Sequence, residues 1–469
     1  MKGPAPMSRR SVRRSVRRSV RVSAVRTAVP LALLLPLATA CGGGDGGGTA
    51  GAGPSKTVTV TVGYQSKTIN TVTAGTLLRS LGYFEEELAA RGKKEGVAYK
   101  VDWQDYATGA PITAQMTAGK IDIGSMGDFP LILNAARGKE LKQPTSLVSV
   151  TGYNLRGGLS TVVTAPDSKL ESLADLRGKK VSTSVGSAAD GTLVRALQRA
   201  GIDPDKGIQK LNQQPSVGAS ALQAGSADAL SQFVAWPGQL AFEGRAKALY
   251  DGAELNLPTF HGVTVRQKFA GERPGVIDDF LKAQRRATDY LRERPVAAAE
   301  SVAKETGLPA EVVYLYNGAN GIATFDPELR PELIAALKED VPVLKGAGLV
   351  GDVDVDAFVD PAPLKRAVQG PAYPKAGAAR SELWVKGQAT TTSFDSPKEL
   401  LKAAKGADVR AAYVPDAVTG TLWFADKAVW VADGAEPRAF LTAAGAKAYV
   451  AQHPGARVIG YQDAVGLAS

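Results

Sequence analysis

Thr and Val take turns without interruption from Thr57 to Val62, and this period of two predicts a strand that ends at Gly63-Tyr64-Gln65. A polar turn and an apolar-periodic helix follow. The two signals then alternate, predicting a strand over 98–103, a helix over 111–118, a short strand over 121–124 and a helix over 129–136. A second run of the same kind begins after Asn154, with strands over 161–164 and 180–183, a short helix over 173–176 and a longer one over 191–200. Such alternation is expected of α/β units on a mostly parallel sheet, because each helix must bury its apolar stripe against a sheet face. Two successive α/β lobes are implied.

Farther along, apolar residues recur at three-to-four spacing over 274–305 and 327–345, with Pro or Asp at the starts, and these helices are expected to pack back on the first lobe. The composition turns to Pro, Ala, Gly and Lys over 361–377, a linker signal. Beyond it a fresh module is predicted, with strands over 383–385, 409–414 and 427–431 and helices over 396–405 and 437–452.

The start of the chain reads differently. Residues 1–40 carry nine Lys or Arg and no acid, and end in an apolar stretch, 28–40, too short to span a bilayer comfortably. This is the pattern of a cleavable export signal. Cys41, the only cysteine, closes the run Leu37-Ala38-Thr39-Ala40-Cys41 directly before Gly42-Gly43-Gly44. The arrangement resembles a bacterial lipobox, with Ala38 where Leu is usual, and implies that Cys41 is lipidated and becomes the new N-terminus. The alternative is cleavage by an ordinary peptidase after an A-x-A site, with Cys41 incidental. The repeated Arg-Arg-Ser-Val units of residues 9–20 fit either the twin-arginine export route or a long basic leader, and Met7 offers a second start. Residues 42–56, rich in Gly, read as a flexible tether.

Charge changes the picture once this segment is set aside. The formal net charge of +10 falls to about +1 without residues 1–40, so no nucleic-acid footprint remains at the level of net charge. With its thiol in the leader, the mature chain has no disulfide framework, and at over 400 residues it can bury a large core without one.

Three loops place small residues where a strand meets a helix: 107–111 with Gly109, 125–130 with Gly127 and Asp128, and 182–187 with Ser184, Gly186 and Ser187. The first turn of a helix leaves about four N–H groups unpartnered and a partial positive charge, so each loop can hold a small anion without Lys or Arg. Plain helix capping is the alternative for each. Asp128 fits an N-cap, or a partner for a ligand ammonium group. Trp236, in Phe233-Val234-Ala235-Trp236-Pro237, fits core packing or the wall of a ligand pocket. Catalysis finds no motif: His261 and His453 are the only histidines, no G-x-S-x-G, H-E-x-x-H or Walker A pattern occurs, and neither a cofactor nor a metal site is expected.

Val62-Gly63-Tyr64-Gln65, Gly119-Lys120-Ile121-Asp122-Ile123-Gly124 and Gly127-Asp128 together resemble the solute-binding proteins of ABC importers for sulfonates, taurine and nitrate. The likeness continues through Leu173-Ala174-Asp175-Leu176-Arg177-Gly178-Lys179-Lys180-Val181, Gly186-Ser187, the 222–229 segment and Ala235-Trp236-Pro237, and covers about 57–370. It implies a two-lobed, periplasmic-binding-protein-like (type II) α/β fold that closes on its ligand, with Gln65, Gly127, Asp128, Ser184, Gly186, Ser187 and Trp236 facing the cleft. It also implies a binder rather than an enzyme, whose partners are a small-molecule solute, an ABC permease with its ATPase, and the membrane through the lipid at Cys41. An enzyme of the thiamine-pyrimidine-synthase type shares the fold and is the remote alternative. Met126 stands where Thr often precedes Gly-Asp, and Phe129-Pro130 where two prolines are common. The solute therefore stays open among sulfonates, nitrate, bicarbonate-like anions and small heterocycles such as pyrimidines.

Residues 382–469 resemble another family, the copper-binding accessory lipoproteins of nitrous oxide reductase (NosL-type), through Phe394-Asp395-Ser396-Pro397, Ala412-Tyr413-Val414-Pro415-Asp416, Ala428-Val429-Trp430-Val431 and His453-Pro454-Gly455. Those proteins bind copper with Cys and Met. Here neither residue occurs after Met126, and Glu436-Pro437-Arg438 replaces the usual Pro-Met-Gly. An appended small α+β domain used for docking or rigidity is expected, with a metal-handling or assembly factor as the alternative. The expected organisation is a signal peptide over 1–41, a tether over 42–56, lobe I over 57–153, lobe II over 154–260, a return to lobe I over 261–370, a linker over 371–381 and the appended domain over 382–469.

Overall fold

The computed structural model describes residues 56–468 apart from 371, 375 and 376; the leader, Cys41 and all of the tether but Lys56 lie outside the described residues. The first sheet has six strands in the spatial order Thr324–Phe325, Thr145–Asn154, Thr259–Arg266, Ile123–Gly127, Thr57–Tyr64 and Ala98–Asp105. Thr57–Tyr64 runs parallel to both Ala98–Asp105 and Ile123–Gly127. The expectation of a mostly parallel sheet needs correction, because Thr259–Arg266 runs antiparallel to both of its neighbours and Thr324–Phe325 is antiparallel to Thr145–Asn154. The reason is topological: the chain leaves this sheet after Asn154, builds a second one, and returns in the opposite direction into the middle of the first.

That second sheet has five strands in the order Gln209–Asn212, Lys180–Thr183, Ala229–Phe233, Ser160–Thr164 and Lys247–Asp251. It too combines a parallel half with an antiparallel one. Two crossings, 155–159 and 252–258, join the sheets. Asn154 organises the first crossing: its Oδ1 accepts the N–H groups of Arg156, Gly157 and Gly158 at 2.9–3.0 Å while its Nδ2 donates to the Ile322 carbonyl at 2.8 Å. Gly157 has φ of +100°, a conformation that excludes most side chains. The Leu257 N–H then ties the second crossing to the Arg156 carbonyl of the first at 3.2 Å.

Helix Pro274–Glu293 buries Val276, Ile277, Phe280, Leu281, Ala283 and Ala287 along one side, the stripe its spacing predicts, and packs beside Tyr83–Glu95. Helix Pro331–Gly346 lies against both Asp128–Glu140 and Ala188–Arg199, and so touches elements of both lobes.

The C-terminal residues form two antiparallel sheets. One has the order Thr392–Phe394, Ser381–Val385, Val409–Pro415, Leu422–Phe424; the other has Glu436–Phe440, Val429–Asp433, Arg457–Ile459. The helix expected over 437–452 is a strand, Glu436–Phe440, followed by a helix, Ala443–Gln452. Gly434, at φ +59°, turns the chain so that Glu436 pairs with Asp433, and the Thr442 hydroxyl caps the helix by accepting the Gly445 N–H.

This module shares a hydrophobic core with the two-lobed part. Trp384, Tyr413, Leu422 and Phe424 pack in one cluster with Val234, Ala241, Tyr314 and Tyr316. Polar contacts reach both sides. Arg410 pairs with Glu311 at 2.7 Å and Glu300 at 2.8 Å, whereas on the second lobe the Thr419 hydroxyl donates to Asp251 at 2.8 Å and Lys447 pairs with Glu171.

Candidate functional site

Helices Gly109–Thr117 and Asp128–Glu140 from the first lobe, and Ala188–Arg199 and Pro215–Gln223 from the second, begin around a cavity of about 210 Å³. Strand-to-helix turns place their small residues there because both sheets end on this side. From the first lobe the cavity is lined by Gln65, Thr108, Gly109, Ala110, Gly127 and His261, with Pro130 and Leu133. The second lobe contributes Ser184, Val185, Gly186, Ser187, Ala188, Asn212, Gln214 and Phe233. Among the described residues, two of the hollows elsewhere are larger. One, of about 590 Å³, lies between the crossing at Asn154, residues 318–325 and the C-terminal Thr419–Leu422. Neither of the larger hollows is ringed by helix starts from both lobes.

The three loops singled out in the sequence therefore meet at one place. Gly109 is required for this approach, since a Cβ there would lie 2.6 Å from the Cβ of Pro130. Thr108 is the N-cap of Gly109–Thr117 and makes no side-chain bond to the helix, and Pro111 brings no N–H, so Gly109 and Ala110 carry the open donors of this turn. Across the cavity, the Ser187 hydroxyl accepts the Asp190 N–H at 3.3 Å, and the Gly186 N–H, at φ +81°, goes to the Asp190 carboxylate at 3.0 Å. The remaining donors of that first turn are the N–H groups of Ala188 and Ala189. Ser184 is held by its bond to the Gln213 carbonyl at 2.8 Å and by the amide of buried Gln232 at 3.2 Å. Gln65 is fixed likewise, its Nε2 donating to the Ser125 carbonyl at 3.1 Å.

Asp128 is buried beside the cavity and is not among its lining residues. Gly127, rather than Asp128, occupies the N-cap position; Asp128 is the first helical residue, and its carboxylate accepts the N–H groups of Phe129 at 2.8 Å and Phe260 at 3.3 Å. The positive end of this helix is thus already matched by a carboxylate of its own chain. Burial pushes the Asp128 carboxyl above its ordinary value, against the pull of those N–H groups and of Arg195. Burial and the nearby Asp128 charge raise Asp340 as well, although Asp340 pairs with Arg195 at 2.7 Å. Trp236 opens helix Trp236–Phe242 and packs beside Val163, Leu230 and Leu240. It does not line the cavity, and the Lys67 ammonium stands 5.9 Å from its ring centre.

His261 was missed by sequence reasoning. It sits on the returning strand, opposite Gly127, where a Cβ on Gly127 would lie 3.1 Å from Cε1 and Nε2 of the ring. Asn70 Nδ2 contacts its Nδ1 at 2.6 Å and also donates to the Gly152 carbonyl at 3.2 Å. Burial alone lowers the imidazole pKa to about 3, so the ring is neutral at ordinary pH. Among the described residues no Lys or Arg lines the cavity, and every polar group lining it is uncharged at neutral pH.

Comparison with known proteins gives the same architecture. Residues 70–298 match the family model described as NMT1/THI5 like. An Escherichia coli (strain K12) protein assigned as an aliphatic sulfonates-binding protein is 30% identical over 220 residues, covering 46% of this chain and 66% of that protein. The taurine-binding periplasmic protein of the same organism is 30% identical over 186 residues, covering 39% of this chain and 55% of its own length. The chain thus spans just under two thirds of the first relative and about half of the second. The solved structure of the alkanesulfonate-binding protein SsuA from Xanthomonas axonopodis pv. citri, bound to MOPS, superposes with a TM-score of 0.54 at 21% identity, covering 65% of this chain and 99% of that one. This likeness is one of fold: a two-lobed, periplasmic-binding-protein-like architecture, to which the two C-terminal sheets are added. Over residues 70–298 the chain is similar to the NMT1/THI5-like family.

Proposed function

We propose that this protein is the extracytoplasmic solute-binding component of an ABC importer, and that its solute is a small anion of the sulfonate class. The observation that carries the reading is the inter-lobe cavity, where helix starts from both lobes and uncharged side chains supply donors and no cation neutralises the ligand. Such a site favours a singly charged head group, because backbone dipoles and neutral donors match one charge without paying for the desolvation of an ammonium or guanidinium partner. A volume of about 210 Å³ is below the roughly 300–1,000 Å³ of drug-sized pockets and suits a solute of few heavy atoms. The names of the two Escherichia coli relatives point to the same class.

Protein lacking residues 1–41 is expected to gain thermal stability with at least one of a panel of alkanesulfonates, taurine, nitrate and pyrimidines. At a hundredfold excess over Kd the gain is about 2.7 kcal/mol. Stabilisation by a sulfonate supports the class, and stabilisation only by a pyrimidine replaces it. A panel without any shift contradicts the reading. Lipid anchoring at Cys41 belongs to the same proposal: Cys41→Ala is expected to release the protein from membranes without altering solute affinity, and a lipid-labelled Cys41→Ala product would contradict it.

The C-terminal module has a mechanical part in this reading, holding elements of both lobes through Asp251, Glu311 and Tyr314. Among the described residues no group of three or more His, Cys, Asp or Glu is placed to hold a metal ion, so the metal-handling alternative draws no support from the geometry.

A further inference from the structure

His261 lines the cavity with one ring nitrogen, Nδ1, engaged by Asn70 and the other, Nε2, without a protein partner among the described residues. Asn70 Nδ2 has two hydrogens and two neighbours, the Gly152 carbonyl at 3.2 Å and His261 Nδ1 at 2.6 Å. The carbonyl can only accept, so the amide nitrogen must face this pair; turning the amide over would set Oδ1 against the Gly152 oxygen and strand both N–H bonds. His261 Nδ1 therefore accepts, and the ring proton resides on Nε2. Among the described residues no protein acceptor is found for Nε2, and the ring, only 5% exposed, lines the cavity opposite Gly127. The Nε2 donor faces the cavity, where water can meet it in the free protein and a ligand acceptor can take that water's place.

We propose that His261 is the specificity-determining donor of the cleft: its Nε2–H, fixed in that tautomer by Asn70, donates to an oxygen of the bound anion and excludes a donor group from the same position. The inference rests on the solute-binding reading above. It explains how an anion is oriented with no cation in the wall, since the backbone N–H groups of two helix starts set the charge and a directional donor on the returning strand sets which oxygen faces it. Gly127 has a matching part, for any side chain there would press on the imidazole.

The test uses taurine and butanesulfonate as probes in calorimetric titrations of the parent, His261→Phe and His261→Gln. Phe keeps the ring and loses the donor, whereas Gln keeps a neutral N–H. Loss of a buried charge-assisted bond predicts a roughly tenfold or larger loss of affinity in His261→Phe, with His261→Gln within about threefold of the parent. Equal affinity of all three proteins overturns the inference while leaving the binding reading intact. A parent that binds neither probe overturns both. A second measurement does not depend on the variants folding. The chain has two histidines, so nitrogen-15 spectra of histidine-labelled protein resolve both rings. The inference predicts a neutral Nε2–H ring for His261 at neutral pH, with its Nε2 signal moving on saturation by the probe. It predicts a proton on Nδ1 in Asn70→Asp, where a carboxylate replaces the amide donor. A parent ring protonated on Nδ1, or an Nε2 signal indifferent to bound probe, overturns it.

Discussion

His261 exchanges water for a single amide partner, and the exchange has a pH signature. Its folded pKa, about 3, lies below the ordinary 6.5. The unfolded chain therefore takes up a proton below about pH 6.5 that the folded protein refuses, and the stability this neutral ring contributes is complete above 6.5 and declines as the pH falls toward 3. The slope is about 1.4 kcal/mol per pH unit for one proton. Asp128 and Asp340 act with the opposite sign: their raised pKa values favour the protonated folded form, so their contribution is largest at low pH and is lost as the pH rises through their folded values. The His261→Gln variant isolates the imidazole. Its unfolding free energy, measured by denaturant at pH 7 and pH 5, is expected to fall less on acidification than that of the parent by roughly 1–2 kcal/mol; identical pH slopes would show the ring to be solvated. At this scale the sequence marked Gly109, Gly127, Ser184, Gly186 and Ser187, which the structure places on the cavity wall, because small residues at strand-to-helix turns announce themselves locally. His261 did not, since a lone histidine has no spacing pattern and its partner Asn70 lies 191 residues away.

At the scale of elements, the two lobes meet where helix Ala188–Arg199 approaches helix Asp128–Glu140. Gly191 makes the approach possible: a Cβ there would fall 1.9 Å from Cζ of Phe129, whose ring also lies 5.5 Å from the Arg195 guanidinium. Gly191→Ala overfills this contact, an error of about 1–3 kcal/mol when it cannot be relieved. Because the two residues belong to different lobes, the strain falls on their approach rather than on either lobe alone. Solute affinity of Gly191→Ala is expected to drop by roughly five- to a hundredfold with little change in circular dichroism; unchanged affinity in titration would mean that solute capture does not need this contact. Alternating periods were enough to place most strands and helices. They failed where a local signal competed with a distant one. The segment 437–452 contains a helix-compatible run, yet its first residues pair with Val429–Asp433 through the turn at Gly434, and a pairing partner is invisible to periodicity. The direction of Thr259–Arg266 was hidden for the same reason, being set by the chain's return from the second lobe.

For the whole molecule, the C-terminal module is built into the two-lobed part. Glu382 is fully buried and accepts from the Tyr314 hydroxyl at 3.2 Å and the Thr391 hydroxyl at 3.1 Å, while Arg410 lies 3.9 Å from the Trp384 ring centre as it pairs with Glu311. The linker composition before it suggested a separate unit, whereas aromatic side chains from both parts share one core. The module also walls the larger hollow near Asn154 through Thr419–Leu422, which makes that hollow the natural rival to the inter-lobe cavity. A crystal structure of the protein with the sulfonate that stabilises it most decides between them. The account predicts the sulfonate group between the helix starts at Ala110 and Ala188, with an oxygen within hydrogen-bonding distance of His261 Nε2 and no Lys or Arg in contact. A sulfonate seated beside Asn154 and Thr421, or paired with a guanidinium or ammonium group, would contradict it.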